Sequence, residues 1–295
     1  MEYAARPPVT LHVNDRPVVE YVTAPKIDPQ RGPRPFAHPV RTLAGAVVTD
    51  VLPEDHPHHL GVSVAMQDVN GTNLWGGRSY VRDEGYQWLD DHGRITADTD
   101  PSTVDDQFTQ RLRWRDPDDR PLLIEDRTLA AAALPDHPAA WVFDLAYTLT
   151  NPNPHPVTLG SPATNGRPGK AGYGGFFWRL PKTEHPVTAL APDADTEEEV
   201  NGSAGAWVAM LAQDREGRSY SLVFSGLGDN DRWFVRATEY PGVCVALAFD
   251  RPRPIAPGAQ LSRRHLVAVV DGHVSREDAA TLSAAAASRP PASPR

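Results

Sequence analysis

Apolar and polar positions alternate along much of the chain, and this two-residue period is typical of β-strands. Near the middle of the sequence, Trp141, Phe143, Leu145, Tyr147 and Leu149 fall on one face of such a strand. Similar short runs recur, rich in β-branched and aromatic residues and separated by Asn, Asp, Gly and Pro, which favour turns. The clearest predicted strands are 9–13, 18–22, 109–114, 121–129, 140–150, 206–211, 219–224, 233–236, 243–249 and 264–270.

One segment has the pattern of a longer helix. Residues 275–287 are rich in alanine, with Ser275 placed to act as N-cap and acidic residues in the first turn. Many strands with so little helix are typical of an all-β protein, and we predict a large antiparallel β-sandwich with a short C-terminal helix. We assign residues 1–272 to a single sandwich domain, and 273–295 to the helix and a disordered tail.

Composition and charge narrow the choice of partner. The 295 residues have a formal net charge of −9, and their basic side chains are scattered, so nucleic acid is not expected as a partner. No apolar run approaches the roughly 18 residues that span a bilayer, and no secretory signal is recognisable, so we expect a cytoplasmic protein that does not enter a membrane. Cys244, the single cysteine, lies in an apolar run and is expected in the core. The sequence leaves a homo-oligomer open.

Residues capable of chemistry concentrate between positions 54 and 77. Three imidazoles, His56, His58 and His59, fall within four residues and next to acidic side chains. Such groups are costly to bury unless they are paired or act on a ligand, so we place the functional site here. The polar and aromatic residues that follow are Asp68, Asn70, Asn73 and Trp75.

Other segments are expected to border this site. Aromatic and charged residues alternate between 78 and 94, as in rims where rings stack on sugars and polar side chains bind hydroxyls. This segment supplies Tyr80, Arg82, Tyr86, Trp88 and His92. A glycine-rich loop entering an aromatic strand supplies Asn165, Arg167, Tyr173, Trp178 and Arg179. His38, Arg41 and Asp229, from two further polar loops, complete the candidate set.

Four motifs carry a family resemblance. They are Arg-Pro-Phe-Ala-His-Pro-Val-Arg-Thr at 34–42, Asp-His-Pro-His-His at 55–59, Asp-Val-Asn-Gly-Thr-Asn-Leu-Trp-Gly at 68–76 and Gly-Tyr-Gly-Gly-Phe-Phe-Trp-Arg at 172–179. Together they resemble the bacterial PmoA-like family of unknown function over roughly residues 10–272. The methane oxidation in that name belongs to an integral membrane copper enzyme, and this chain has no spanning segment, so we set the name aside.

The resemblance implies a sandwich related to the galactose-mutarotase supersandwich, and carbohydrate chemistry. Two positions depart from the family pattern. Many members carry Arg after the paired histidines and Glu after Trp-Gly, where this chain has Leu60 and Gly77. Any role of those two side chains would have to be lost here or supplied by Arg78, Arg82 or Glu84.

Three interpretations of the histidines stay open. In the first, neutral imidazoles act as general base and acid on a sugar, and the catalytic candidates are His56, His58, His59, Asp68, Arg82 and His92. In the second, His56 and His58 bind a divalent metal; no other cofactor is expected. In the third, the histidines and nearby Asp and Asn side chains only hydrogen-bond a tight loop.

We therefore predict a carbohydrate-active protein, most simply an epimerase, isomerase or lyase that removes a proton next to a carbonyl of an oxidised (keto) sugar. Arg41, Arg82 or Arg167 would stabilise the enolate oxygen. The alternatives are a carbohydrate-binding module without turnover and a metal-dependent glycoside hydrolase. The predicted substrate-binding residues are His38, Arg41, Asn70, Asn73, Trp75, Tyr80, Tyr86, Trp88, Asn165, Arg167, Tyr173, Trp178, Arg179 and Asp229.

Overall fold

Antiparallel strands are the main secondary structure of the computed structural model, which describes residues 4–291. The strands are β1 Val9–Val13, β2 Arg16–Val22, β3 Phe36–Val40, β4 Val62–Ala65, β5 Asp68–Val69, β6 Ser79–Val81, β7 Gly85–Gln87, β8 Arg94–Ala97, β9 Ser102–Val104, β10 Gln107–Arg115, β11 Pro121–Ala133, β12 Ala140–Thr150, β13 Val157–Gly160, β14 Gly175–Arg179, β15 Thr188–Leu190, β16 Trp207–Gln213, β17 Ser219–Ser225, β18 Arg232–Arg236, β19 Gly242–Ala246, β20 Arg253–Ile255 and β21 Gln260–Asp271. The helices are α1 Glu197–Val200 and α2 Arg276–Ala287, with a 3-10 turn at Pro29–Arg31.

Two large sheets organise these strands. One has seven strands in the order β1-β2-β3-β4-β14-β19-β18. The other has nine, in the order β15-β16-β17-β21-β12-β11-β10-β8, with β9 paired to β10. Smaller sheets join β20-β13-β5 and β6-β7. The predicted all-β antiparallel architecture with a short C-terminal helix is confirmed.

The main core lies between the two large sheets, as the two-residue period predicted. The alternating residues of β12 that begin at Trp141 and end at Leu149 all belong to it, with side chains from β14, β18 and β19. A polar contact also crosses this core. Arg127 forms a buried ion pair with Glu125 of the same strand at 2.6 Å, and its Nη1 donates to the Tyr21 hydroxyl of the opposite sheet. This hydrogen bond joins the two layers.

The outer face of the nine-stranded sheet has a smaller apolar cluster. Val142 of β12 and Ala268 of β21 pack there against Leu282 and Ala286 of α2. The helix begins with a capping box, in which Ser275 accepts from the Asp278 amide and the Asp278 side chain accepts from the Ser275 amide. The helix therefore covers apolar side chains of these strands that point away from the main core, because side chains alternate between the two faces of a strand.

Two segments differ from expectation. Residues 25–39 are rich in proline, which disfavours regular strands, yet this passage ends in β3, which contains Pro39. The first residues of the tail, which was predicted as disordered, make hydrogen bonds to the sheet: the Arg289 and Pro290 carbonyls accept from Arg264 at 3.1 Å. Residues 292–295 lie outside the described part of the chain. Neither helix among residues 4–291 has the length and apolar character needed to cross a membrane.

Candidate functional site

A pocket of about 390 Å³ lies against the edge strand β18. Its walls come from four loops: 55–59 between β3 and β4, 75–78 between β5 and β6, 167–173 between β13 and β14, and 239–240 between β18 and β19. Residues 86–88, at the end of β7, and strand β18 complete the walls. The lining residues are Asp55, His56, Pro57, His58, His59, Trp75, Gly76, Gly77, Arg78, Tyr86, Trp88, Arg167, Tyr173, Phe234, Arg236, Glu239 and Tyr240.

A wider groove of about 880 Å³ crosses the outer face of the nine-stranded sheet. Its charged residues already have partners, since Arg111 donates to Asp126 at 2.7 Å and Arg264 donates to Asp144 at 2.7 Å. The pocket at β18 instead contains three histidines, and its three arginines donate no hydrogen bond to a carboxylate among the described residues. We therefore take it as the candidate site.

Asn73 fixes the loop that carries Trp75. The side chain of Asn73 is fully buried, and its Oδ1 accepts from the amides of Trp75 and Gly76 at 3.0 and 2.9 Å. Its Nδ2 donates to the Gly77 carbonyl at 3.1 Å, and His92 Nε2 donates to the same carbonyl at 2.7 Å. Asn73 and His92 therefore hold the pocket wall from behind and do not line the cavity.

The three histidines lie on a tight turn. The His56 amide donates to the Pro53 carbonyl, and the His59 amide donates to the His56 carbonyl at 2.9 Å. Gly77 lies directly against the His58 ring: a Cβ at this position would be 2.8 Å from His58 Nδ1, and φ is +72°. Any side chain at position 77 would therefore require the imidazole to move.

The imidazole rings pack on one another. His56 and His59 are stacked, with centroids 4.7 Å apart at 14°, and Tyr240 covers both rings at 4.4 and 5.0 Å. His58 contacts His59 edge-on at 4.8 Å. His56 and His58 meet edge-on, with ring centroids 5.8 Å apart at 65°. No group of three His, Cys, Asp or Glu side chains in residues 4–291 could hold a metal ion.

Burial keeps all three imidazoles neutral. It lowers the pKa of His58 to about 3 and that of His59 well below 6.5. Burial also lowers the pKa of His56, but His56 is less buried and the neighbouring Asp55 opposes the shift. At neutral pH each ring has one nitrogen with a lone pair.

A buried arginine orients the acid beside His56. Arg179 Nη2 donates to both carboxylate oxygens of Asp55, at 3.1 and 3.2 Å, and Asp55 Oδ2 lies 3.4 Å from His56 Nδ1. Burial raises the pKa of Asp55, but Arg179 and His56 outweigh that effect and the pKa is lowered. Asp55 is thus ionised, and Nε2 is the His56 nitrogen left for a ligand.

Aromatic side chains form the rest of the wall. The Tyr173 ring lies 5.0 Å from Trp75, and its hydroxyl is 3.1 Å from that of Tyr86, which also accepts from Arg167 Nη1 at 2.6 Å. Trp88 stands at the rim with 54% of its surface exposed. The pocket thus combines ring faces, hydroxyls and cations around neutral imidazoles, as sites for polar, hydroxylated ligands do.

Eight predicted site residues line this pocket, and they are His56, His58, His59, Trp75, Tyr86, Trp88, Arg167 and Tyr173. Behind the wall lie Asn73 and His92, already described, together with Arg179 and Tyr80, whose ring contacts Tyr86 at 5.4 Å. These four can act only through the residues that they hold.

Besides His92, two predicted catalytic residues lie outside the pocket lining. Asp68 accepts from the Gly71 amide at 2.8 Å and from Asn165 Nδ2 at 3.0 Å. Arg82 is exposed, and its guanidinium lies close to Gly166, where a Cβ would be 2.8 Å from Nη1. Asp68 and Asn165 serve the local turn, since their polar atoms are satisfied there.

Five predicted substrate-binding residues have structural partners elsewhere. His38 contacts Thr49 at 3.0 Å, and Arg41 donates to Glu20 at 2.9 Å. Asn70 accepts from the Thr158 amide at 2.8 Å, and Trp178 is in the core with Nε1 donating to the Val48 carbonyl. Asp229 is in an exposed loop, where its carbonyl accepts from Arg253.

Sequence reasoning missed the contribution of strand β18 and the loop after it. Phe234, Arg236, Glu239 and Tyr240 line the pocket, although 233–236 was predicted only as a strand and none of these residues was a site candidate. The available signal was the charged and aromatic sequence 236–240 directly after a predicted strand. Pairing β18 with β19 at the sheet edge brings it beside the histidines, and that pairing could not be derived from the sequence.

A family of unknown function, DUF6807, matches residues 8–284. The chain belongs to this family. The motifs resembled a family of unknown function, and this membership agrees with that. The link to the PmoA-like family stays an expectation. No curated protein matches the chain.

Solved structures show only distant likeness to this DUF6807 member. The α-galactosidase from Lactobacillus brevis is 11% identical with a TM-score of 0.36, covering 76% of this chain and 33% of that one. The heparan sulfate lyase HepC from Pedobacter heparinus is 11% identical with a TM-score of 0.28, covering 62% and 22%. The chain thus spans a third or less of these proteins, and likeness at this level says nothing about its activity.

Proposed function

We propose that this DUF6807 member binds a sugar or keto-sugar in the pocket and removes a proton from it, with His56 as the base. The observation that carries the proposal is the Arg179–Asp55–His56 arrangement. Two bonds from Arg179 hold an ionised carboxylate 3.4 Å from His56 Nδ1, a buried nitrogen that makes no hydrogen bond. The negative charge of this carboxylate favours the proton on Nδ1 and leaves the Nε2 lone pair for a ligand in the pocket that His56 lines.

The chemistry requires a carbonyl next to the carbon that loses the proton. His56 Nε2 takes the proton, and the electron pair of the C–H bond moves to the carbonyl oxygen as an enolate. Reprotonation on the other face gives an epimer, reprotonation at the neighbouring carbon gives an isomer, and loss of a β-substituent gives a lyase product. All three share the first step, which is the step assigned here.

Arg167 is placed to stabilise the enolate oxygen. It lines the pocket with its Cζ 4.9 Å from the Tyr86 ring, and one of its nitrogens donates to the Tyr86 hydroxyl. Its other N–H groups remain for an oxyanion, and a fixed guanidinium stabilises developing negative charge. Of the three arginines expected for this role, Arg41 and Arg82 do not line the pocket, which leaves Arg167.

The other two histidines are less suited to act as the base. Burial lowers the pKa of His58 to about 3, so its neutral ring has little affinity for a proton. His59 is 2% exposed and is enclosed by His56, Tyr240 and Phe177. We assign both rings to the pocket wall.

Solvent exchange tests the proposal directly. Incubation with a panel of sugars and keto-sugars in D2O, followed by NMR, should show deuterium entering one C–H position of a bound substrate. Replacing His56→Gln should slow that exchange by about 10²–10⁴-fold, because general-base catalysis contributes on that order. Below the lowered pKa of His56, the wild-type rate should fall as pH falls, because the base becomes protonated.

The matched control is His155→Gln, an exposed histidine outside the pocket, which should leave exchange unchanged. Unfolding curves for both variants establish that they are folded. Wild-type exchange in folded His56→Gln protein would contradict the assignment of His56 as the base.

A second function follows from the aromatic rim: carbohydrate binding without turnover. Trp88 is 54% exposed and Trp75 forms the wall below it, as in sites where sugar faces stack on rings. Saturable quenching of tryptophan fluorescence by a sugar, with no deuterium incorporation, would favour this alternative. A metal-dependent hydrolase, the third expectation, has no support from the arrangement of the histidines.

A further inference from the structure

We propose that the sugar bound in this pocket carries an oxyanion, a carboxylate, phosphate or sulfate group, held by Arg78 and Arg236. The inference rests on the proposed function, since it names the class of sugar that the same site takes. Four observations support it: the local charge, the pairing of the acids, the burial of Arg236 and the free donors of Arg78.

The charge of the pocket is opposite to that of the protein. The chain has a formal net charge of −9, yet the lining contains three arginines, Arg78, Arg167 and Arg236, against two acids. A cleft lined by one sign of charge concentrates ligands of the opposite sign. The pocket therefore attracts anions even though the molecule as a whole repels them.

The acids in the lining do little to cancel these arginines. Asp55 is already bonded to the buried Arg179, and Lys182 lies 3.7 Å from it. Glu239 is exposed to solvent, which screens its charge. The positive charge of the lining is thus largely available to a ligand.

Arg236 is largely removed from solvent without full compensation of its charge. Its side chain is 14% exposed, and its only hydrogen bond among the described residues runs from Nη1 to the neighbouring Val235 carbonyl. The nearest carboxylate oxygen belongs to Glu197, 3.9 Å away, and the other oxygen of Glu197 is occupied by the amides of Ala237 and Thr238. A guanidinium removed from water favours a charged partner, and an oxyanion of the ligand would supply it.

Arg78 has its donors free. Its guanidinium lies 5.9 Å from the centroid of the Trp88 ring, and within residues 4–291 it makes no hydrogen bond or ion pair. Arg236 is placed similarly, with Cζ 4.3 Å from the Phe234 ring. Contact with a ring limits the motion of a guanidinium while its edge N–H groups stay available, which suits two-point binding of an oxyanion.

Calorimetry with matched ligands tests the proposal. The probes are a neutral hexose, its uronic acid, its phosphate and its sulfate. We expect at least one anionic form to bind about tenfold or more tightly than the hexose, since a charge-assisted hydrogen bond is roughly twice as strong as a neutral one. Comparison of the three anions identifies which oxyanion the site takes.

The variants Arg236→Gln and Arg78→Gln should each lower the affinity for the anionic form about tenfold. Their affinity for the hexose should be nearly unchanged. Arg78 is exposed and makes no hydrogen bond or ion pair within residues 4–291, so its variant is expected to fold even if Arg236→Gln does not. The control Arg251→Gln removes the same charge from an exposed arginine outside the pocket and should change nothing.

Equal affinity for the hexose and its anionic forms would overturn this inference and leave the proposed function standing. An equal loss in Arg251→Gln would also overturn it, since net charge and not the pocket would then be responsible. If inorganic phosphate or sulfate binds with dependence on Arg236 but no sugar binds, the anion site stands and the proposed function fails.

Discussion

His265 shows how the core constrains a single titratable side chain. It is 1% exposed, its Nδ1 donates to the Gly226 carbonyl at 3.0 Å, and its Nε2 is 3.4 Å from the Tyr147 hydroxyl. Burial lowers its pKa to about 4, although Asp231 and the Gly226 bond oppose the shift. The folded protein therefore holds this imidazole neutral under conditions in which an exposed one would be charged.

Acid should destabilise the protein through His265. Because its folded pKa is below the unfolded value of about 6.5, the unfolded chain takes up the proton first, so this contribution is complete above pH 6.5 and is lost as pH falls towards 4. The shift corresponds to about 3 kcal/mol of unfolding free energy. Urea unfolding of His265→Gln should show a smaller loss between pH 6.5 and 4 than wild type, while His155→Gln should match wild type. An unchanged pH dependence in His265→Gln would show that His265 is not responsible.

At the residue scale, the sequence predicted those site residues that are close together in the chain. It did not predict those that come from distant segments. His56, His58 and His59 fall within four residues, so composition alone locates them. Arg236 and Tyr240 reach the pocket only through strand pairing far along the chain. Trp178 was misplaced for a related reason, because an aromatic residue in a strand has the same local pattern whether it faces a ligand or the core.

At the scale of the loop, Gly77 determines where the His58 ring lies. Replacement by alanine adds the strain of φ +72° and a contact of 2.8 Å with His58 Nδ1. Gly71→Ala is the matched control, since Gly71 has φ +84° with nothing within 4 Å of a Cβ. Both variants should lose about 1 kcal/mol of unfolding free energy from left-handed strain. Gly77→Ala should lose more, and should also shift the His58 ring signals in NMR. Equal losses and unmoved signals would mean that the ring adapts without cost.

Strands with a clear two-residue period were predicted well, and β12 has the expected bounds of 140–150. The exception is β3, where prolines argued against a strand. Pro39 is accommodated near the end of β3, opposite the register irregularity in its pairing with β2, so its missing donor costs the sheet little. Local propensity could not anticipate this, because it depends on which strand lies alongside.

At the scale of the whole molecule, Asp231 ties separate sheets together. The carboxylate is fully buried and lies 2.9 Å from Arg253 of β20 and 2.6 Å from Arg263 of β21, at the start of β18. These strands belong to three different sheets. The acid therefore fixes elements that no backbone ladder joins.

Asp231→Asn should cost about 3 kcal/mol or more of unfolding free energy, because it leaves two largely buried guanidinium groups without their carboxylate. Chemical denaturation measures this loss. Asp126→Asn breaks a surface pair with Arg111, whose side chains are about half exposed, and should change stability little. Similar small effects in both variants would refute the role of Asp231 as a tie between sheets.

The class of fold followed from the sequence, but the order of strands did not. Alternation determines which residues face inward, whereas neighbours such as β14 and β19 are set by packing over the whole chain. The same limit applies to the pocket, whose walls come from four loops that are distant in the sequence.

The place of β21 has a consequence for how the protein is made. This strand lies between β17 and β12, so until residues 260–271 are synthesised the nine-stranded sheet exists as two separate groups, each with an open edge. Sheets that depend on such distant pairing fold slowly, and their open edges favour association with other chains. During translation both groups of strands therefore keep their open edges until β21 is synthesised. In this interval the nascent chain would depend most on chaperones.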